Sequence, residues 1–405
     1  MLTAGEIAFV REHLEDDVHV LLLAADKYPG KDVPKCVRQI EGLRKIRYKV
    51  PEWFACRQVF IPSLLAAEQC SSAETAAYKR RFIHMPGPVV DITGGLGVDS
   101  YYLSKSSDNV IYAERDDALC RAAENNFKAL GAAGRIRVVH SPAQQLWKDD
   151  PRIPYASLVY ADPSRRDDAG RRLYDITRYS PDVTALRDYV LQRADAFLVK
   201  ISPLADISRT LSQLKGTVQV HVVSSGNECK ELLFLLNNDK EIRPEPLIVC
   251  GEEFSFHQSD EILASATLQK EGGYAVIREG DYLYEPGVSL LKAGAFALPA
   301  LRYPVKKIHR HSHLYTSSVP VPGFPGRKFR IGGIIPFTSG NLKKIRNGFP
   351  KANMSVRNFP LTVEQWRHKT GITEGGPVYL FGTTGWMSGE ETRMIIQATK
   401  WEETI

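Results

Sequence analysis

The sequence has no apolar run approaching the ~18 residues that a membrane-spanning helix needs. None of its six cysteines (Cys36, Cys56, Cys70, Cys120, Cys229 and Cys250) belongs to a C-x-x-C pair. That scatter argues against a disulfide framework and a structural zinc site, and predicts a reducing, cytoplasmic setting. A basic leader is missing too. Glu6, Glu12, Glu15, Asp16 and Asp17 crowd the first residues, which predicts that no secretory signal is present. No Ser/His/Asp or Cys/His nucleophile pattern stands out. What is there is 405 residues, 43% hydrophobic and 25% charged, a balance that supports real cores in two to four domains.

Acidic residues are absent from one long stretch. Between Pro286 and Val363 the chain carries 13 of its 53 Lys and Arg and none of its 47 Asp and Glu, so the remainder is net acidic although the whole is +6. An acidic body with one basic segment predicts a localised surface for a polyanion. A basic face without a partner is the alternative. Lys306, Lys307 and Arg310, with Lys343 and Lys344, are the candidate phosphate contacts. His309, His311 and His313 share one face if that segment is a strand. They lack Cys or carboxylate companions, so no metal is predicted.

Residues 1–85 read as helical. Ser71 and Glu74 have the S-x-x-E spacing of a capping box, and Pro86-Gly87-Pro88 ends the helical part. From residue 89 strands and helices alternate. Strands are predicted at 89–93, 109–114, 136–140, 157–161, 196–201 and 218–224, with helices between them at 98–105, 116–130, 184–193 and 207–214. Repeated βα units with apolar strands indicate a mostly parallel sheet covered on both faces, with ligands beyond the carboxyl ends of its strands. After residue 237 the rhythm stops. Segments 245–256 and 263–277 read as shorter strands, and 328–384 as strand-like pieces (330–335, 378–382) around a helix at 363–368.

Three constellations carry chemistry. In Asp91-Ile92-Thr93-Gly94-Gly95-Leu96-Gly97-Val98-Asp99 a strand ends in an acid and runs through glycines into a helix, where backbone approaches a ligand closely. Glu114, with Arg115 after it, ends the next strand 17 residues beyond Gly97, at the place where a carboxylate accepts ribose hydroxyls. A helix-capping Glu is the alternative there. In Tyr160-Ala161-Asp162-Pro163-Ser164-Arg165-Arg166, proline fixes the turn and leaves the Asp162 side chain and nearby carbonyls facing a pocket, where they can accept hydrogen bonds from an amine. Arg165 and Arg166, with Arg171 and Arg172, are suited to an anion. A plain Asp-Pro turn with surface arginines is the bland alternative.

The D-x-x-x-G-x-G form of Asp91, Gly95 and Gly97 resembles the first motif of class I S-adenosylmethionine-dependent methyltransferases. The resemblance implies that Asp91, Thr93, Gly94, Gly95, Gly97 and Asp99 line S-adenosyl-L-methionine and that Glu114 takes its ribose. Thr93 stands where many members have a glycine, and Ser141-Pro142-Ala143-Gln144 stands where many have an acid near the adenine, leaving Gln144 to serve. Asp162-Pro163-Ser164 resembles the D/N-P-P-x signature of methyltransferases that modify nucleobases, with Ser164 for the second proline, and implies a catalytic role for these three.

Further motifs resemble a narrower group of bacterial methyltransferases with a THUMP-like C-terminal domain. They are Glu68-Gln69-Cys70-Ser71-Ser72 through Thr75, Ala76, Tyr78 and Lys79; Asn227-Glu228-Cys229-Lys230-Glu231-Leu232; Ser355-Val356-Arg357-Asn358-Phe359-Pro360-Leu361; and Glu374-Gly375-Gly376 through Tyr379-Leu380-Phe381-Gly382-Thr383-Thr384. The implied architecture is an α/β, Rossmann-like methyltransferase sheet at 86–275 behind a helical region at 1–85, a ferredoxin-like segment at 276–326 and a THUMP-like domain at 327–405. The implied activity is methylation of an RNA base nitrogen. The alternatives are a non-catalytic RNA binder on this fold, or a methyltransferase for a protein or a small acidic metabolite.

Overall fold

The computed structural model describes residues 1–402 apart from 85, 166–170, 172, 174, 238–244, 252–253, 271–273 and 388. The chain divides into two compact units, Met1–Val220 with Lys230–Pro244, and His221–Cys229 with Glu245–Ile405.

The first unit opens with helices α1 to α6 at Ala4–Glu12, Val18–Leu23, Val33–Ile46, Pro51–Ala55, Leu64–Gln69 and Ala73–Lys79. The Val18–Leu23 segment is helical despite its valines, because the Asp17 carboxylate caps it by accepting from the His19 N–H. The start of α6 differs from the expected capping box: Ser72 is the cap, accepting from the Thr75 N–H. Ser71 instead donates its hydroxyl to the Asp99 carboxylate at 2.8 Å.

The alternating part follows as β1 Val89–Asp91, α7 Val98–Leu103, β2 Val110–Glu114, α8 Asp117–Ala129, β3 Ile136–His140, α9 Leu146–Asp149, β4 Leu158–Ala161, α10 Val183–Leu191, β5 Ala196–Ile201, α11 Ile207–Gln213, β6 Thr217–Ser225 and β7 Glu228–Asn237. The strand order runs β3-β2-β1-β4-β5-β7, with β6 beyond β7. Strands β1 to β5 pair in parallel, and β7 is antiparallel to β5. The core strands are apolar on both faces; Val89, Val90, Val110, Ile111, Leu158, Val159, Phe197 and Leu198 are all fully buried. Chain order reverses between β1 and β4, so the crevice beyond their carboxyl ends is the natural ligand position of such a sheet.

The second unit has β8 Leu247–Cys250 and β9 Phe254–Phe256, then α12 Gln258–Lys270, β10 Tyr282–Pro286, α13 Val288–Ala293, α14 Leu298–Arg302, β11 Lys306–Lys307, β12 Tyr315–Ser317, β13 Gly326–Pro336, α15 Ser339–Gly348, β14 Asn353–Arg357, α16 Val363–Thr370, β15 Val378–Met387 and β16 Glu390–Lys400. Strands β10 to β16 form one sheet in the order β11-β12-β10-β13-β16-β15-β14. One cluster of its core holds Leu283, Ile308, Phe329, Phe381 and Ile396; another sets Ile345 of α15 and Trp366 of α16 with Leu380 and Ile395.

The strand expected over 263–277 is for the most part helix α12. Ala264 and Leu268 lie four residues apart and both are buried, while Ile262 and Leu263 face solvent. Glu261 anchors the helix, accepting from the backbone N–H groups of Phe296, Ala297 and Leu298 at 2.7–3.0 Å. The three histidines do not share a strand face. Residues 310–312 form a turn, and His313 has the left-handed φ of 50°. Among the described residues no helix is long and apolar enough to cross a membrane, and no three His, Cys, Asp or Glu gather as a metal site.

Candidate active site

Asp91 ends β1 and is almost fully buried. One carboxylate oxygen accepts from the Thr93 N–H at 3.0 Å and the other from the Ser100 hydroxyl at 2.6 Å, so Asp91 shapes the turn from beneath. Burial raises its pKa to about 7. The glycines that follow have separate reasons. A Cβ on Gly94 would lie 2.2 Å from the Tyr112 ring, and one on Gly97, at φ 92°, would lie 2.8 Å from Phe127. Both are demanded by packing. Gly95, at φ 54°, has no neighbour closer to that position than the Thr93 carbonyl at 3.7 Å. This is the open position of the loop.

Glu114 ends β2 beside it, half-buried. Its Oε2 accepts from the Gly95 N–H at 2.9 Å, and its Oε1 from the N–H groups of Arg115 and Asp116 at 2.8 and 3.0 Å. The Tyr112 hydroxyl donates to the Gly95 carbonyl at 2.6 Å. Loop and carboxylate are thus joined before any ligand arrives. The partly exposed Gly95 and the half-buried Glu114 carboxylate fit a nucleoside with free ribose hydroxyls. Arg115 is exposed, with its guanidinium 3.3 Å from the Ser180 hydroxyl. Gln144 is exposed on the turn after β3.

At the end of β4 the Asp162 N–H donates to the Thr93 hydroxyl at 2.6 Å, tying this turn to the glycine loop. Asp162 is half-buried, Pro163 buried and Ser164 exposed. Ser164 exchanges two backbone hydrogen bonds with Ser180 at 2.8 and 3.0 Å. Arg165 is exposed and donates to the Ser202 hydroxyl at 2.5 Å. Arg166 and Arg172 lie outside the described residues.

Beneath Asp162 lies a charge network that motif reading did not assemble. Lys200 on β5 places its ammonium 2.6 Å from Asp162 Oδ2 and 3.8 Å from Glu231 Oε2. Lys79 on α6, fully buried, lies 2.8 Å from Glu231 and 3.1 Å from Asp99. The hydroxyls of Ser71 and Tyr160 donate to Asp99 at 2.8 and 3.0 Å. Asp99 is therefore engaged with protein partners rather than open to a cofactor. Burial opposes charge on Asp99, yet Lys79 and Lys200 hold its pKa below the usual carboxylate value. Burial wins at Glu231, whose pKa is raised against the pull of the same two lysines. Burial also opposes charge on Lys200, but the Asp162, Glu231 and Asp99 carboxylates hold its pKa above the ordinary lysine value. The sequence signal for Lys200 is a lone lysine in the apolar strand Ala-Phe-Leu-Val-Lys-Ile.

The second unit holds the basic candidates. Lys306 and Arg310 are exposed, as are Lys343 and Lys344 on α15. Lys307 is a correction: it is 5% exposed, its ammonium donates to the Arg310 carbonyl at 2.8 Å, and burial lowers its pKa to about 8. It cannot serve as a surface phosphate contact in this arrangement. Arg327 and Arg357 both pair with the buried Glu285, which stands just before the acid-free stretch.

Residues 282–325 match a ferredoxin-like domain family and residues 326–400 a THUMP domain-like family. No curated protein matches the chain. The solved structure of a protein from Porphyromonas gingivalis W83, provisionally described as a methyltransferase, is 32% identical over 98% of both chains, with a TM-score of 0.84. Smaller similarities include a protein from Clostridium thermocellum, provisionally described as an rRNA methylase (16% identity, 40% of this chain and 95% of that one, TM-score 0.31). Another is a Streptococcus mutans protein solved with S-adenosylhomocysteine (11% identity, 40% and 95%, TM-score 0.31). With its parallel sheet reversing beside the glycine loop, the chain belongs to the class I S-adenosylmethionine-dependent methyltransferases that carry ferredoxin-like and THUMP-like C-terminal domains.

Proposed function

We propose that this enzyme transfers the methyl group of S-adenosylmethionine to a base nitrogen of RNA, with Gly95 and Glu114 holding the cofactor and Asp162 to Ser164 the acceptor. The observation that carries this reading is Asp162 itself. It is a half-exposed carboxylate on the turn after β4, joined by its own N–H to Thr93 of the glycine loop.

The cofactor supplies an electrophilic methyl on a sulfonium. The chain's contribution is position and charge. Glu114, already fixed by three backbone N–H groups, accepts from ribose hydroxyls through its remaining lone pairs. Asp162 accepts from the acceptor N–H, turning the nitrogen lone pair toward the methyl, and its negative charge offsets the positive charge that grows on nitrogen. Asp91 acts on the loop from below, through the Thr93 N–H and the Ser100 hydroxyl. Exposed Lys306, Arg310, Lys343 and Lys344 on the second unit contact RNA phosphates, giving salt-dependent affinity with little sequence preference. In this reading exposed Arg165, on the same turn as Asp162, holds a phosphate of the acceptor RNA.

The test is Asp162→Ala. Transfer of labelled methyl into RNA should fall at least about 100-fold, in line with the loss of a preorganised polar group at a reacting centre. Affinity for S-adenosylhomocysteine should stay within about threefold, well under the 1.4 kcal/mol of a tenfold change. Undiminished transfer would remove Asp162 from the acceptor site.

A further inference from the structure

We propose that Lys200 is a positioning residue for methyl transfer: its ammonium occupies one oxygen of Asp162 and so aims the other at the acceptor. This rests on the methyltransferase reading of Asp162. The lysine makes its shortest contact, 2.6 Å, with Asp162 Oδ2. Its other neighbours are the Ser71 hydroxyl at 3.4 Å and Glu231 Oε2 at 3.8 Å. Both of those are buried, and Glu231 is in turn held by the wholly buried Lys79. The ammonium is therefore pinned from the interior, and it pins Asp162 from one side.

A carboxylate with two free oxygens turns readily about its last torsion. With Oδ2 taken by Lys200, Oδ1 is left without a hydrogen-bond partner among the described residues. The Asp162 side chain is 33% exposed while that of Glu231 is 2% exposed, so the charge chain Lys79–Glu231–Lys200–Asp162 runs from the core to one open end. Lys200 shares the neutralisation of buried Asp99 and Glu231 with Lys79, but Lys79 makes the closer contacts to both, and the closest contact of Lys200 is turned instead to half-exposed Asp162. Arginine would keep the charge but not the arrangement, because a planar fork cannot replace a compact ammonium at one oxygen.

The test compares two cofactor-site ligands by calorimetry on the full chain. Sinefungin carries an amine in place of the transferable methyl, and S-adenosylhomocysteine has nothing there. Their affinity ratio therefore reads the acceptor side of the site without needing an RNA. In the native protein sinefungin should bind about tenfold tighter, the scale of one charge-assisted hydrogen bond. Asp162→Asn should bring the ratio near one, Lys200→Met should do the same, and the double variant should lower it no further, since the two act as one unit. Lys200→Arg should recover only part of the ratio, and it keeps the test open if Lys200→Met fails to fold. A merely structural lysine would weaken both ligands equally and leave the ratio intact, which would overturn the proposal. A ratio that rises in Lys200→Met would also overturn it, showing that Lys200 competes for Asp162 instead of aiming it. Failure of both ligands to bind the native protein would instead remove the cofactor reading itself.

Discussion

At the scale of residues, the glycine loop shows how one motif divides into unlike tasks. Gly94 and Gly97 make room for Tyr112 and Phe127, whereas Gly95 is partly exposed and has only the Thr93 carbonyl near its Cβ position, at 3.7 Å. The sequence displayed the loop and Glu114 because a fixed spacing between a glycine turn and an acid has few other uses. It did not display the direction of each side chain. Asp91 and Asp99 read as cofactor contacts, yet both are buried and bonded within the protein. Asp91 carries a testable consequence. Its folded pKa of about 7 lies above the ordinary 3.8, so its contribution to stability is complete below the ordinary value and is lost as pH rises through 7. Asp91→Asn cannot ionise. The unfolding free energy of the native protein minus that of the variant, from denaturant titration, should therefore decline between pH 4 and pH 8. A flat or rising difference would contradict a buried carboxyl at this position.

At the scale of elements, the central strands of the first sheet were legible because burial on both faces writes continuous apolar runs; β4 at Leu158–Ala161, buried throughout, lies within the segment expected at 157–161. Strand β7 escaped, since an antiparallel return has no βα rhythm, and so did Lys200 and Glu231, which only the pairing of β5 with β7 brings together. Helix α12 was misread because a short apolar run cannot by itself tell strand from helix. Helix α15 offers the cleanest element-scale prediction. Ile345 is buried, while Lys343, Lys344 and Arg346 are exposed and make no ion pair among the described residues. Lys343→Gln with Lys344→Gln should weaken RNA binding and reduce the slope of log affinity against log salt by about 1.5, at ~0.7–0.9 per phosphate contact. Lys307→Met should leave the slope unchanged, because the buried amine meets no phosphate. Equal slopes in all three proteins would dissociate α15 from RNA.

At the scale of the whole molecule, the chain joins a catalytic unit of nearly balanced charge, 34 Lys and Arg against 31 Asp and Glu, to a unit containing the acid-free basic stretch. Part of that basic charge is structural, since Arg327 and Arg357 converge on Glu285 and the Arg330 guanidinium sits 4.3 Å from the Tyr282 ring centre. What remains for a polyanion is smaller than the composition implies, but it is concentrated on exposed positions such as Lys306, Arg310, Lys343 and Lys344. The central claim is that this enzyme methylates RNA through Asp162. The most direct measurement is transfer of labelled methyl from S-adenosylmethionine into total RNA, with protein and metabolite fractions in parallel and Asp162→Ala as control. The account predicts label in RNA that disappears in the variant. Label confined to protein or metabolites, or label in RNA that persists without the Asp162 carboxylate, would contradict it.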